Sequence, residues 1–108
     1  MNQGPTKSDW RHFKHVRELA LERLCKRILD DVAANAADSS QTYHERYLKI
    51  YKMVQDYDDD IAMGFNEFSR SRMLQQTIFL RSRDLISDDE MSGFSDGVRK
   101  SVGWALED

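Results

Sequence analysis

Apolar residues recur at helical spacing through the middle of the chain. The steps between them are three or four residues, which places them on one face of an α-helix. They are Tyr43, Tyr47, Ile50, Val54, Tyr57, Ile61, Phe65 and Phe68. We therefore predict that this face is the centre of the fold and that the rest of the chain packs against it.

A second, broader apolar stripe precedes it. Its doubled positions at 20/21, 24/25 and 28/29 are wide enough to contact two neighbouring elements. Thr6 and Asp9 have the spacing of a capping box, in which a hydroxyl and a carboxylate satisfy the free N–H groups at a helix start. The pattern predicts a helix over residues 9–36, after a flexible arm at 1–7.

The extent of the second helix is the open question. Thr42 and Glu45 form another capping box, so the helix begins near residue 43. Gly64 and Asn66 are weak helix formers, yet the apolar register continues beyond them to Leu85. An unbroken helix over 43–85 would be about 65 Å long and would give an elongated hairpin. The alternative is a compact four-helix bundle broken near Gly64, and the absence of a proline or polar turn cluster favours the long helix.

A third capping box, Ser87 with Glu90, predicts a C-terminal helix over 88–106. Ser95 could instead cap a separate helix after one short turn, and the pattern does not decide between these. The predicted fold is all-α, with residues 1–108 forming a single domain.

The composition agrees with the all-α class and indicates the cellular compartment. Five glycines and one proline in 108 residues are too few for an all-β fold with many tight turns. The single Cys25 excludes an internal disulfide and fits a reducing compartment. There is no apolar run long enough to span a bilayer and no apolar signal-peptide core, so we expect a cytoplasmic protein without membrane contact.

Charge is arranged in blocks along the chain, although the net charge is only −3. Residues 1–29 and 68–83 are basic, whereas 30–67 and 84–108 are acidic. Two basic clusters could meet phosphate, and they suggest an alternative function as a dimeric nucleic-acid-associated regulator. They are Lys7, Arg11, Lys14 and Arg17, followed by Arg70, Arg72, Arg81 and Arg83. Acidic partners for the later arginines within the same assembly would weaken this alternative.

Other chemistry has little support in the sequence. Asp56, Asp58, Asp60 and Glu67 match ligand positions of a calcium-binding loop, but Ile61 stands where that loop needs glycine. The three histidines are interpreted as surface residues, and no nucleophile–base pair is visible. We expect no enzyme activity, no metal and no cofactor.

The favoured function is a non-enzymatic interaction module, such as an adaptor, regulator or assembly factor, that displays apolar helix faces. A homodimer is expected through the second half of the long helix, because so long a helix needs cover from another molecule. The tyrosines and methionines of the stripe could also dock a partner, although we interpret them mostly as core. The predicted partner-binding residues are Tyr51, Met63, Phe65, Phe68, Met73, Leu74 and Ile78.

Overall fold

The computed structural model describes residues 5–107, and its fold is all-α, as predicted. Residues 1–4 of the predicted arm lie outside this range, and Lys7 already belongs to the first helix. A short 3-10 turn at Arg70–Arg72 precedes the third α-helix. The α-helices of the described residues are α1 Lys7–Ala36, α2 Tyr43–Phe65, α3 Met73–Ser82, α4 Asp88–Met91 and α5 Asp96–Ala105.

Side-chain caps define the helix starts. The three predicted capping boxes are confirmed at Thr6, Thr42 and Ser87, where the hydroxyl accepts from the third helical N–H and the acid accepts from the cap N–H. Ser95 caps α5 by accepting from the backbone of Val98. The C-terminal region is therefore two helices, which is one of the two arrangements left open by the sequence.

The predicted continuous helix over 43–85 is wrong, because α2 ends at Phe65. Asn66 has an extended backbone and Glu67 a left-handed one, with φ of 55°. Arg17 of α1 donates to the Phe65 carbonyl at 2.8 Å, and Gln76 of α3 donates to the Asn66 carbonyl. These side chains satisfy carbonyls that a longer helix would have bonded internally.

Packing explains why the break occurs here. A Cβ added to Gly64 would lie 2.8 Å from Leu80 Cδ2, so glycine allows α3 to lie close against the end of α2. The buried face of α3 is formed by Met73, Gln76, Thr77 and Leu80. In one continuous helix this face would be turned about a third of a revolution away from the face of α2 that contacts α1. The connector at 66–69 removes this mismatch.

The molecule is elongated nonetheless. Its extents are 59 × 25 × 24 Å and its radius of gyration is 16.8 Å, against about 13 Å for a compact chain of 100 residues. The length comes from α1, whose 30 residues span about 45 Å. The compact bundle is therefore not formed either, although the break it required is present.

The core lies around the first half of α1, not around the tyrosine-rich stripe. Phe13, Val16, Ala20 and Leu24 of α1 are buried there. The C-terminal helices, the segments that connect them and the end of α2 supply the remaining buried apolar side chains. They are Phe65, Met73, Leu80, Leu85, Ile86, Met91, Phe94, Val98 and Val102.

Polar contacts fix the C-terminal segment along α1. The carboxylate of Asp9, which is 1 % exposed, accepts from the N–H and hydroxyl of Ser95 at 2.7 Å each. Burial acts to raise the pKa of Asp9, but the hydrogen bonds from Thr6 and Ser95 outweigh it and the pKa is lowered. Hydrogen bonds to this one carboxylate thus join the N-termini of α1 and α5.

Candidate interaction surface

The outer end of the α1–α2 hairpin exposes a group of large apolar side chains. Tyr43 is 85 % exposed, Tyr47 62 % and Tyr51 55 %. The three tyrosines are four residues apart, so they follow one another along one side of α2. Leu48 and Val54 extend the exposed area, and we call these five residues the tyrosine surface. Leu29 of α1 is also exposed at this end of the hairpin.

The surface is exposed because the C-terminal helices cover only the other end of the hairpin. Within α2, only Gly64 and Phe65 are buried, and both lie in its last turn. The three tyrosines of the surface are more than half exposed, and they belong neither to the buried core nor to the partly buried residues that pack against it. Our interpretation of these tyrosines as core is therefore wrong, because α1 alone is too narrow to cover α2.

Hydrogen bonds link the two helices of the hairpin that carries the tyrosine surface. Arg46 donates to the carbonyls of Gln41 and Ala36 at 3.0 Å each, which closes the turn between the helices, and its guanidinium lies 4.9 Å from the Tyr43 ring. The Tyr57 hydroxyl donates to Asp31 of α1. This hydrogen bond, together with burial, raises the pKa of the Tyr57 hydroxyl. The surface is thus carried by a fixed pair of helices.

The structure separates the predicted partner-binding residues into distinct places. Only Tyr51 belongs to the tyrosine surface. Met63 and Phe68 are exposed elsewhere, and Phe68 stacks on Trp10 with ring centroids 5.0 Å apart. The others belong to the chain's own interior: Phe65 and Met73 are buried, and Leu74 and Ile78 are partly buried.

The predicted partner-binding set did not include Tyr43, Tyr47, Leu48 and Val54. One signal could have found them. The stripe is most aromatic over residues 43–57, next to the polar loop at 35–41, and there the sequence offers no third helix to cover it. An apolar face beside a hairpin turn is exposed unless another element reaches that far.

The basic clusters do not form one continuous surface. Arg81 pairs with Asp88, Arg83 with Asp60 at 3.2 Å and Arg72 with Glu67 at 3.5 Å. On α1, the Arg17 guanidinium lies 4.3 Å from the Phe68 ring, and the Lys14 ammonium 5.6 Å from the Trp10 ring. Lys7, Arg11 and Arg70 are exposed. Three of the four later arginines therefore meet acidic residues of the same chain.

The acidic stretch of α2 does not form a calcium-binding loop. Asp56, Asp58 and Asp60 lie in continuous helix, where alternate residues point to opposite sides, and Asp60 is engaged by Arg83. Within residues 5–107, no group of three or more potential ligands is placed to hold a metal ion.

The side of α2 away from the tyrosine surface borders an open groove of about 440 Å³. Its polar groups are largely paired with one another or with neighbours: Lys52 with Asp56, Asp60 with Arg83, and Tyr57 with Asp31. The groove has no histidine or cysteine in its lining and presents no nucleophile beside a base. It thus gives no basis for assigning catalysis.

His12 has a structural role that the sequence did not show. Its Nε2 lies 2.6 Å from the Glu90 carbonyl, and its ring packs edge-on against Phe94 at 4.6 Å. A Cβ on Gly93 would lie 2.4 Å from the same ring. His12 therefore docks the connection between α4 and α5 onto α1, and glycine is needed to admit it.

Comparison with known proteins gives no match, whether to a family model, a curated protein or a solved structure. In the described part of the chain, each helix is too short or too polar to cross a membrane. Any functional assignment must therefore come from the surface of the molecule itself.

Proposed function

We propose that the chain is a non-enzymatic helical interaction module that binds a protein partner through the tyrosine surface. The observation that carries the proposal is the exposure of five large apolar side chains on one rigid helix. With about 200 Å² for a whole tyrosine or leucine, their exposed fractions correspond to roughly 600 Å². This total includes the tyrosine hydroxyls, so its apolar part falls within the range of about 300–600 Å² found for the largest apolar patches on typical monomers.

The composition of the surface supports the same role. Tyrosine is enriched at protein interfaces, because its ring contributes apolar area while its hydroxyl remains hydrated or hydrogen-bonded. The charged side chain of Arg46 borders the surface beside the Tyr43 ring, which suits a polar rim around an apolar centre. The proposed docking site thus differs from the predicted one over residues 63–78, much of which packs inside the chain.

The homodimer expected from the sequence stays a proposal, but the surface proposed for the contact between the two copies changes. Within the segment over 66–85, Met73, Leu80 and Leu85 pack in the chain's own core, whereas the tyrosine surface is exposed. A cytoplasmic location is part of the same proposal, because the single Cys25 is a free thiol that suits a reducing compartment.

The nucleic-acid alternative receives less support than the interaction module. Phosphate binding needs cationic side chains that are free to meet a polyanion. Arg72, Arg81 and Arg83 are paired with carboxylates, and the guanidinium of Arg17 is bonded to the Phe65 carbonyl. These contacts favour the interaction module over nucleic-acid binding.

Site-specific photo-cross-linking tests the proposed module. A benzophenone amino acid placed at Tyr47 should give a covalent adduct with a protein in the cell that makes this chain. The same group at Trp104, which is 80 % exposed on α5, is the matched control because it is aromatic and at least as accessible but lies on a different helix. Equal labelling from both positions, or none from Tyr47, would count against the tyrosine surface as a docking site.

A further inference from the structure

The segment between α2 and α3, residues 66–72, holds an unfavourable backbone conformation, and we call it the hinge segment. Glu67 has a left-handed backbone, with φ of 55°, which residues other than glycine, asparagine and aspartate rarely adopt. The N–H groups of residues 67–71 donate to no backbone carbonyl within residues 5–107. The backbone of the hinge segment is therefore strained at one residue and has few hydrogen bonds of its own.

The start of α3 adds to this strain. Among the α-helices of the described chain, α3 alone has no side-chain cap, and it has no acid in its first turn. Arg70 and Arg72 instead precede it, so two positive charges lie at the positive end of its dipole. Helix α3 thus begins without the contacts that stabilise the other helix starts.

Unpaired polar atoms surround the same segment. Three buried side-chain atoms have no hydrogen-bond partner within residues 5–107, and they are Arg17 Nε, Arg72 Nε and Gln76 Oε1. Each of these side chains contacts residues 65–67 through another of its atoms. Because an unpaired buried polar group lowers stability, the chain is least well satisfied where it turns from α2 into α3.

The chain forms two units on either side of the hinge segment, each held by its own contacts. In the hairpin, the Tyr57 hydroxyl donates to Asp31 and joins α2 to α1. The C-terminal segment, residues 73–107, packs on the first half of α1 and the end of α2. Ser95 of this segment donates to Asp9 of α1 at 2.7 Å. These contacts require the two surfaces to meet, but they do not require both surfaces to belong to one chain.

We propose that the hinge segment opens and that two copies exchange their C-terminal segments, so that each segment packs on the hairpin of the other copy. The structure identifies the occupant, because the closed chain already shows this segment on α1. Short hinges under strain favour such an exchange, since every contact of the closed chain forms again between the copies while the strain is released. The exchange goes beyond the proposed function and leaves the tyrosine surface exposed on both hairpins.

Mass measurement by light scattering, after incubation at high protein concentration with mild heating, gives the first test. The wild type should form a species of twice the monomer mass of 12.7 kDa. Glu67→Gly should lower the dimerisation constant by about tenfold or more, because glycine adopts the left-handed backbone without strain and each dimer opens two hinge segments. Circular dichroism verifies that each variant is helical.

Asp84→Gly is the matched control for the hinge variant. Asp84 also has a left-handed backbone, with φ of 58°, but it lies inside the C-terminal segment and moves with it. The same substitution there should leave the dimerisation constant as it is in the wild type. An equal decrease in both variants would contradict the hinge at residues 66–72.

The exchange itself is tested by charge reversal at the ion pair between Arg23 of α1 and Glu90 of the C-terminal segment. In a closed chain, Arg23→Glu places two acids at this contact and Glu90→Arg places two bases there. When one protein of each kind exchange their segments, both contacts join opposite charges. Native mass spectrometry of the mixture should therefore show the heterodimer well above the half of all dimers that random pairing gives.

The outcomes separate this inference from the proposed function. A wild-type mass that stays at one copy would overturn the exchange, and so would heterodimers at the random proportion. A dimer that is lost when Tyr47 and Tyr51 are replaced by lysine, but is unaffected by Glu67→Gly, would show association through the tyrosine surface and would also overturn it. Photo-cross-linking from Tyr47 does not depend on the hinge segment, so the interaction module and the exchange can fail independently.

Discussion

The ion pair between Arg23 and Glu90 provides the sharpest test of how the C-terminal segment is held on α1. Both oxygens of Glu90 accept from the guanidinium, at 2.6 and 2.7 Å. Glu90 also completes the capping box of α4 by accepting from the Ser87 N–H at 2.8 Å. We consider the variant Glu90→Gln, because glutamine can keep the capping bond while it loses the charge.

The magnitude follows from the titration of the carboxyl. The hydrogen bond from Arg23 is the largest cause that lowers the pKa of Glu90, from 4.5 to about 2. At about 1.4 kcal/mol per pKa unit this shift corresponds to at most about 3 kcal/mol. Because the Arg23 side chain is 40 % exposed, solvent screening reduces the contribution of the ion pair. We expect Glu90→Gln to lower the free energy of unfolding by about 1–2 kcal/mol at pH 7.

The sign of the pH dependence is determined by the lowered pKa. The folded form holds the charged carboxylate more strongly than the unfolded chain does. The stabilisation is therefore complete above pH 4.5 and is lost as pH falls towards about 2, the folded pKa. The difference in unfolding free energy between wild type and Glu90→Gln should shrink over this window.

Urea unfolding followed by circular dichroism, at several pH values between 7 and 2, measures this difference. Asp89→Asn is the matched control, since Asp89 is a neighbouring acid in the first turn of α4 but is exposed and makes no side-chain ion pair within residues 5–107. Asp89→Asn should lower the free energy of unfolding by less than about 0.5 kcal/mol. A Glu90→Gln difference that stays constant from pH 7 to 2, or that equals the control, would refute the reasoning.

Three further results are expected. Gly93→Ala should destabilise the fold by about 1–3 kcal/mol, because its Cβ would overlap the His12 ring; in the urea assay, His12→Ala should remove most of this effect, and additive losses would contradict the contact. Arg17→Ala should cost about 1–2 kcal/mol through the lost hydrogen bond to the Phe65 carbonyl, whereas Arg11→Ala, at an exposed position of the same helix, should be near neutral. On heparin, the protein should elute at low salt, because much of its basic charge is paired; retention at about 0.3 M salt would revive the nucleic-acid alternative.

Local signals in the sequence were sufficient for the helices as units. Capping boxes predicted three helix starts, at Thr6, Thr42 and Ser87, because the hydrogen bonds of a capping box form within four consecutive residues. The helical period of the apolar residues likewise determined the all-α class. These features depend on neighbours in sequence, so no knowledge of tertiary contacts was needed to predict them.

Contacts between distant residues decided the rest. The end of α2 at Phe65 depends on Arg17 and Gln76, which come from other helices and satisfy the carbonyls at the break. Whether an apolar stripe is buried depends on which element covers it, and periodicity alone does not say. The C-terminal helices pack on the first half of α1. Three tyrosines that the pattern placed at the centre of the fold, Tyr43, Tyr47 and Tyr51, are therefore left exposed near the hairpin turn.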